Sequence, residues 1–125
     1  MKFEIFYGEP DVAVFMKDLE TKYKANTLSA TEKKLLKKIV KALSHLSNNP
    51  YHPGLESHEI SSLTKKYKTK IFESYLENKT PSAGRIFWFY DEKVRGRIIF
   101  AGIEPHPESG EYGKVSLSTH CKKPE

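Results

Sequence analysis

Three closely spaced segments in the second half of the 125-residue chain constrain its fold most strongly. They read KIFESYLE at residues 70–77, RIFWFYDE at 85–92 and RIIFAGIE at 97–104. Each segment is rich in β-branched and aromatic residues, and turn-forming residues separate one from the next. The pattern predicts three antiparallel strands in a meander. The middle strand is apolar on both faces, so we expect it to be covered on both sides.

The first part of the chain predicts a strand and then a helix. Residues 3–8 (FEIFYG) alternate as a strand does, and we expect Gly8 to end it. Pro10 suits the first position of a helix, apolar residues then recur at helical spacing, and Asn26 is a plausible stop.

A second helix has clearer boundaries. Ser29 and Glu32 have the spacing of a capping box, in which each side chain bonds a backbone N–H of the other residue. An apolar stripe follows, and the sequence Asn-Asn-Pro at 48–50 ends the helix. Residues 50–68 show no clear period, although 55–60 (LESHEI) suit a short strand or a helical turn. These elements predict a single α+β domain over residues 1–125.

The net charge of +5 is unevenly distributed along the chain. Residues 29–70 hold nine Lys and three Glu, whereas the remainder carries a slight negative excess. Such a segment suits a polyanion or an acidic partner, and a solvated Lys-rich helix face is the alternative. The candidate RNA-binding residues are Lys34, Lys37, Lys41, Lys65 and Lys66.

Other features of the composition indicate a cytoplasmic protein. The single cysteine, Cys121, cannot form an internal disulfide, which favours a reducing compartment. No stretch approaches the roughly 18 apolar residues that a membrane-spanning helix needs. We therefore expect no membrane association.

The motifs for several kinds of chemistry are absent. The chain has no glycine-rich phosphate loop, no Cys-x-x-Cys pair and no His-Glu-x-x-His motif, so we expect neither a metal nor a cofactor. The remaining candidates are Arg85, His106, Tyr112 and His58. Each has a structural alternative. Arg85 could pair across strands with Glu73 or Glu77. His58 could cap or support a loop, His106 could be an ordinary histidine of a surface loop, and Tyr112 could pack on the sheet.

One reaction needs only groups of these kinds, the cleavage of RNA by its own 2′-hydroxyl. A histidine with a pKa near ~6.5 can serve as acid or base at neutral pH. An arginine matches the oxygens of phosphate and stays charged throughout. We therefore expect Arg85 and His106 to lie together, with Arg85 on the phosphate and His106 in proton transfer.

Local strings of the sequence resemble the RelE/ParE family of bacterial toxins. They are NPYHPGLESHEI at 49–60, KIFESYLENKTPSAGRIFWFY at 70–90 and IIFAGIEPHPESGEYG at 98–113. The resemblance implies a helical hairpin packed on a curled, mainly antiparallel four-stranded sheet. It also implies cleavage of mRNA on the ribosome, and a cognate antitoxin with which the chain forms a hetero-oligomer.

Carried over to this sequence, the resemblance implies roles for the same residues. Arg85 resembles the family's strand arginine at the scissile phosphate, and His106 its C-terminal acid or base. Tyr112 lies near the family's C-terminal aromatic residue, and His58 is similar to a basic position before the second strand. Two alternatives stay open: a non-catalytic binder of a protein such as DNA gyrase, and a basic nucleic-acid-binding module.

Overall fold

The structure is a computed structural model that describes residues 2–9, 11–77, 84–104 and 120–122. The helices are α1 (Asp11–Lys24), α2 (Ala30–Asn48) and α3 (Ser61–Tyr67), with a 3-10 turn at Pro53–Leu55. The strands are β1 (Glu4–Glu9), β2 (His58–Glu59), β3 (Phe72–Tyr75), β4 (Arg85–Tyr90), β5 (Arg97–Glu104) and β6 (His120–Lys122). The chain therefore has an α+β fold. Within the described ranges, no helix is long and apolar enough to cross a membrane.

The strands form one mixed sheet in the order β2-β3-β4-β5-β1-β6. β3, β4 and β5 are the predicted meander, and they pair antiparallel. β1 pairs in parallel with β5, so it lies between β5 and β6 and not beside β2, the next strand along the chain. The prediction of four strands is incomplete, because the short strands β2 and β6 extend the sheet at its two edges. Gly8 does not end β1, since it pairs with Cys121 of β6.

The capping box at the start of α2 is confirmed. The hydroxyl of Ser29 accepts a hydrogen bond from the N–H of Glu32 over 3.1 Å, and the Glu32 carboxylate accepts one from the N–H of Ser29 over 3.0 Å. Asn26, the predicted stop of α1, has a φ of 58°. Asparagine tolerates this left-handed conformation better than most residues, so it suits the end of a helix.

The two long helices pack on one face of the sheet. Ile39 and Leu46 of α2 lie in a core with Trp88 of β4 and Phe100 of β5, all of them fully buried. α1 adds Val12, Met16 and Leu19 to this core. Val40 also follows the apolar pattern of α2, but its side chain is 57% exposed.

The opposite face of the sheet has a core of its own. Phe87, Phe89 and Ile99 on the strands pack there with Leu63 of α3 and with Ile60, which precedes α3. The expectation that both faces of the middle strand are covered is therefore confirmed. The sequence did not predict α3, whose seven residues carry one fully buried apolar side chain, Leu63.

Candidate functional site

Two of the four predicted catalytic residues belong to described strands. His58 is the first residue of β2, and Arg85 is the first residue of β4. His106 and Tyr112 lie outside the described residues. Arg85 pairs in register with Glu104, the last described residue before the segment that contains His106 and Tyr112. The predicted proximity of Arg85 to His106 therefore stays a prediction.

The loop before β2 holds His58 at the edge of the sheet. The Ser57 hydroxyl donates to the carbonyl oxygen of Pro50 over 2.6 Å and lies 2.7 Å from the hydroxyl of Ser74 on β3. The indole N–H of Trp88 in turn donates to Ser74 Oγ over 2.8 Å. This chain of hydrogen bonds runs from the core to the loop, so it fixes the residue that precedes His58.

Register places four polar side chains at one end of the sheet. His58 pairs with Glu73, and Tyr75 pairs with Arg85, so these residues share the face that α3 covers. The rings of His58 and Tyr75 meet edge to face with centroids 6.1 Å apart. We call His58, Glu73, Tyr75 and Arg85 the strand-end cluster.

Arg85 is fully buried and bonded to an equally buried carboxylate. Its Nη1 lies 3.0 Å from Oε1 of Glu73, and the two side chains are 0% and 1% exposed. The guanidinium carbon also lies 5.3 Å from the centre of the Phe87 ring, a favourable cation–π distance. The cross-strand pairing that the sequence left open is therefore present. In this conformation the guanidinium is not presented to solvent.

His58 completes the cluster at the surface. Its side chain is 46% exposed, and its Nε2 lies 3.5 Å from Oε2 of Glu73. Nδ1 lies 2.8 Å from the carbonyl oxygen of Glu56, which can only accept, so Nδ1 carries the hydrogen. The neutral ring then has its lone pair on Nε2. Chemically, Nε2 can take a proton, and the adjacent carboxylate stabilises the resulting cation.

Glu73 is the member of this cluster that sequence reasoning missed as a functional residue, since it was considered only as a partner for Arg85. The signal available was its position in β3. Glu73 lies between Phe72 and Ser74, and alternation directs it to the face where Phe87 and Phe89 form a core. An acidic residue at such a position needs a cationic partner.

The candidate RNA-binding lysines divide into two surfaces. Lys34, Lys37 and Lys41 are exposed on α2, on one side of the sheet. Lys65 and Lys66 are exposed on α3, which covers the face of the strand-end cluster. Only Ile60 separates β2 from α3 in the chain. The second pair therefore belongs to the same side of the sheet as His58.

The described residues contain no group of three or more His, Cys, Asp or Glu side chains that could hold a metal ion. Comparisons of the chain with protein-family models, with curated proteins and with solved structures found no match.

Proposed function

We propose that this protein is a metal-independent endoribonuclease that cleaves mRNA, and the toxin of a RelE/ParE-type toxin–antitoxin pair. One observation carries the enzymatic part of the proposal: the exposed His58 has its Nε2 beside a buried carboxylate, while its Nδ1 is held by a backbone carbonyl. An imidazole held in this way has a lone pair on Nε2 that can take a proton. The family assignment rests on the sequence strings and on the order of a strand, a helical hairpin and a meander.

The proposed reaction uses the RNA's own nucleophile. The 2′-oxygen attacks the adjacent phosphorus, His58 Nε2 takes the 2′ proton, and the bond to the 5′ oxygen breaks. The 5′ oxygen takes a proton from an acid, a role that the resemblance assigns to His106. The products are a 2′,3′-cyclic phosphate and a 5′-hydroxyl end. The resemblance places Tyr112 near the family's C-terminal aromatic residue, so we assign Tyr112 to the same active site.

The basic residues then have separate roles. Lys65 and Lys66, on the same side of the sheet as His58, hold the phosphates of the strand that is cut. Lys34, Lys37 and Lys41, on the helical side, dock the enzyme on the RNA of the ribosome. Both contacts are electrostatic, so both weaken as salt rises.

The same proposal gives the protein a macromolecular partner. An antitoxin would keep the enzyme inactive by covering its lysine-rich surfaces. An acidic segment that folds on binding suits that role. Co-expression with a short neighbouring reading frame should restore growth if that frame encodes the antitoxin.

Pulsed expression in bacteria followed by primer extension on mRNA tests the enzymatic part. Wild-type protein is expected to produce new 5′ ends, and His58→Ala is expected to reduce their rate of appearance by roughly 10²–10⁴-fold. Glu59→Ala is the matched control, because Glu59 is the neighbouring exposed residue of β2. Equal cleavage by wild type and His58→Ala would remove His58 from the mechanism.

A second candidate function is favoured by the burial of Arg85. An arginine that is 0% exposed does not contact a phosphate in this conformation, which suits a non-catalytic toxin that binds a protein such as DNA gyrase. Purified protein that inhibits supercoiling but leaves mRNA intact would favour this candidate over the ribonuclease.

A further inference from the structure

We infer that Glu73 is a positioning residue for the cleavage step, and that buried Arg85 holds Glu73 in place. The inference rests on the proposed ribonuclease function. The carboxylate of Glu73 stabilises the imidazolium that forms when His58 Nε2 takes the 2′ proton. Arg85 then acts through Glu73, in a role that does not require its guanidinium to reach the substrate.

The two oxygens of the Glu73 carboxylate have different partners. Oε1 lies 3.0 Å from Nη1 of Arg85, and Oε2 lies 3.5 Å from Nε2 of His58. The carboxylate therefore bridges a buried cation and an exposed imidazole. Since the Arg85 contact fixes Oε1, it also fixes the direction in which Oε2 points.

Burial fixes the position of this carboxylate beside the ring. The Glu73 side chain is 1% exposed, whereas the His58 side chain at 3.5 Å is 46% exposed, so protein surrounds the carboxylate and water reaches the ring. An isolated buried carboxylate would itself be unfavourable, and Arg85 removes that penalty by supplying the opposite charge. Together the two residues form a buried ion pair whose carboxylate end lies next to Nε2.

Of the described charged groups near His58, the Glu73 carboxylate contacts the ring, and the Arg85 guanidinium lies 3.0 Å from the other oxygen of that carboxylate. Among the described contacts, the ring meets the Glu73 carboxylate and the edge of Tyr75 from β3, and the Glu56 carbonyl from its own segment. Of these groups, only Glu73 opposes the charge of a protonated ring with a full charge. Removing it is therefore the most direct way to test its role.

The test compares two variants with wild type. Glu73→Gln keeps the shape of the side chain but removes the negative charge bonded to buried Arg85, so it also risks the fold. The double variant Glu73→Gln/Arg85→Met removes both buried charges and replaces the guanidinium with an apolar chain, a change that buried ion pairs often tolerate. Glu77→Gln is the matched control on the same segment, since Glu77 is half-exposed and pairs with Lys38.

Single-turnover cleavage of RNA as a function of enzyme concentration is measured on each protein that unfolds cooperatively. Both Glu73 variants are expected to lower the maximal rate by on the order of 10- to 100-fold, which is part of the whole contribution of acid–base catalysis. The enzyme concentration that gives half of the maximal rate is expected to stay unchanged, because Glu73 does not contact the RNA.

The outcomes separate the two claims. Wild-type cleavage together with an unchanged maximal rate in the double variant would overturn the role of Glu73 and leave the ribonuclease function standing. A wild-type protein that cleaves no RNA, free or on the ribosome, would overturn the proposed function and the positioning role of Glu73 with it. A reduced maximal rate at an unchanged half-maximal concentration, with a Glu77→Gln control equal to wild type, supports the inference.

Discussion

The imidazole rings of His45 and His52 lie stacked, with centroids 4.0 Å apart and planes inclined by 20°. His45 belongs to the last turn of α2, and His52 precedes the 3-10 turn that leads towards His58. Nδ1 of His52 accepts a hydrogen bond from the N–H of Gly54 over 3.0 Å, so this contact requires that nitrogen to be unprotonated. The stack therefore joins α2 to the loop that carries the candidate site.

This stack predicts a loss of stability in mild acid. Burial lowers the pKa of His45, and the neighbouring charges of His52 and Lys41 lower it further. Because the folded pKa lies below the unfolded value of 6.5, the neutral ring's contribution is complete above that pH and is lost as pH falls below it. Urea unfolding between about pH 8 and pH 5 should show a steeper loss for wild type than for His45→Gln. Parallel curves would contradict the prediction.

The hydrogen-bonded chain from Trp88 to the loop predicts a stability effect for Ser74→Ala. The change leaves the buried indole N–H of Trp88 without its acceptor and frees Ser57 from β3. We expect unfolding to require about 1–3 kcal/mol less free energy, measured by urea denaturation. Ser44→Ala, on the exposed side of α2, should stay within about 0.5 kcal/mol of wild type. A Ser74→Ala protein as stable as the Ser44→Ala control would show that these hydrogen bonds do not contribute to stability.

The sequence predicted those helices and strands that are determined by residues close together in the chain. The capping box of Ser29 and Glu32 involves residues three apart, so the motif alone indicates where α2 begins. Runs of β-branched and aromatic residues bounded by turn residues likewise indicated β3, β4 and β5. α3 has no such signal. Residues 55–60, which contain β2, suited a short strand or a helical turn, and the sequence did not decide between them. Leu63 of α3 is buried by contacts with distant strands, and the pairing of His58 with Glu73 depends on the path of the loop before it.

The candidate site also depends in part on contacts between residues that are distant in the sequence. An acidic partner for Arg85 was among the alternatives because Glu73 and Arg85 lie on adjacent predicted strands. His58 was a candidate from the sequence, but its contact with Glu73 could not be predicted, because it requires the register of β2 against β3, which the sequence pattern does not define. The burial of Arg85 and Glu73 could not be predicted either, since it depends on α3 and Ile60, which cover that face of the sheet.

Ile39 and Val40 are neighbours on α2 that both follow the apolar pattern, yet their environments differ. Ile39 is fully buried in the core of the helical face, whereas Val40 is 57% exposed. Ile39→Ala should therefore lower the free energy of unfolding by about 2–5 kcal/mol, because it leaves a cavity. Val40→Ala should change it by less than about 0.5 kcal/mol. Similar losses in the two variants, measured by urea denaturation, would contradict this placement of the helix.

Glu32 predicts a second pH dependence, in strong acid. The Glu32 carboxylate accepts hydrogen bonds from the Lys22 ammonium and from the backbone N–H of Ser29. The Lys22 bond, and then the Ser29 bond, lower the pKa of Glu32 to about 2. The contribution of the charged carboxylate is therefore complete above the unfolded value of 4.5 and is lost as pH falls towards about 2. Glu32→Gln keeps the cap without the charge. Its stability should fall below that of wild type near neutral pH and match it near pH 2. If Glu32→Gln were still less stable than wild type at pH 2, the difference would come from the hydrogen bond and not from the charge.

The two lysine surfaces predict different effects of charge reversal. Lys65 and Lys66 lie on the side of the sheet that contains His58, and Lys34 and Lys37 lie on α2, on the other side. For a short single-stranded RNA, Lys65→Glu/Lys66→Glu should weaken binding and reduce the slope of log affinity against log salt by roughly 1.4, if each lysine neutralises one phosphate. The matched variant Lys34→Glu/Lys37→Glu should leave this binding unchanged and weaken binding to ribosomes. Fluorescence anisotropy across a salt series measures the first effect, and co-sedimentation with ribosomes measures the second. If both double variants lost short-RNA binding equally, the strand would have to contact both sides of the sheet, and the assignment of the cut strand to the α3 surface would be wrong.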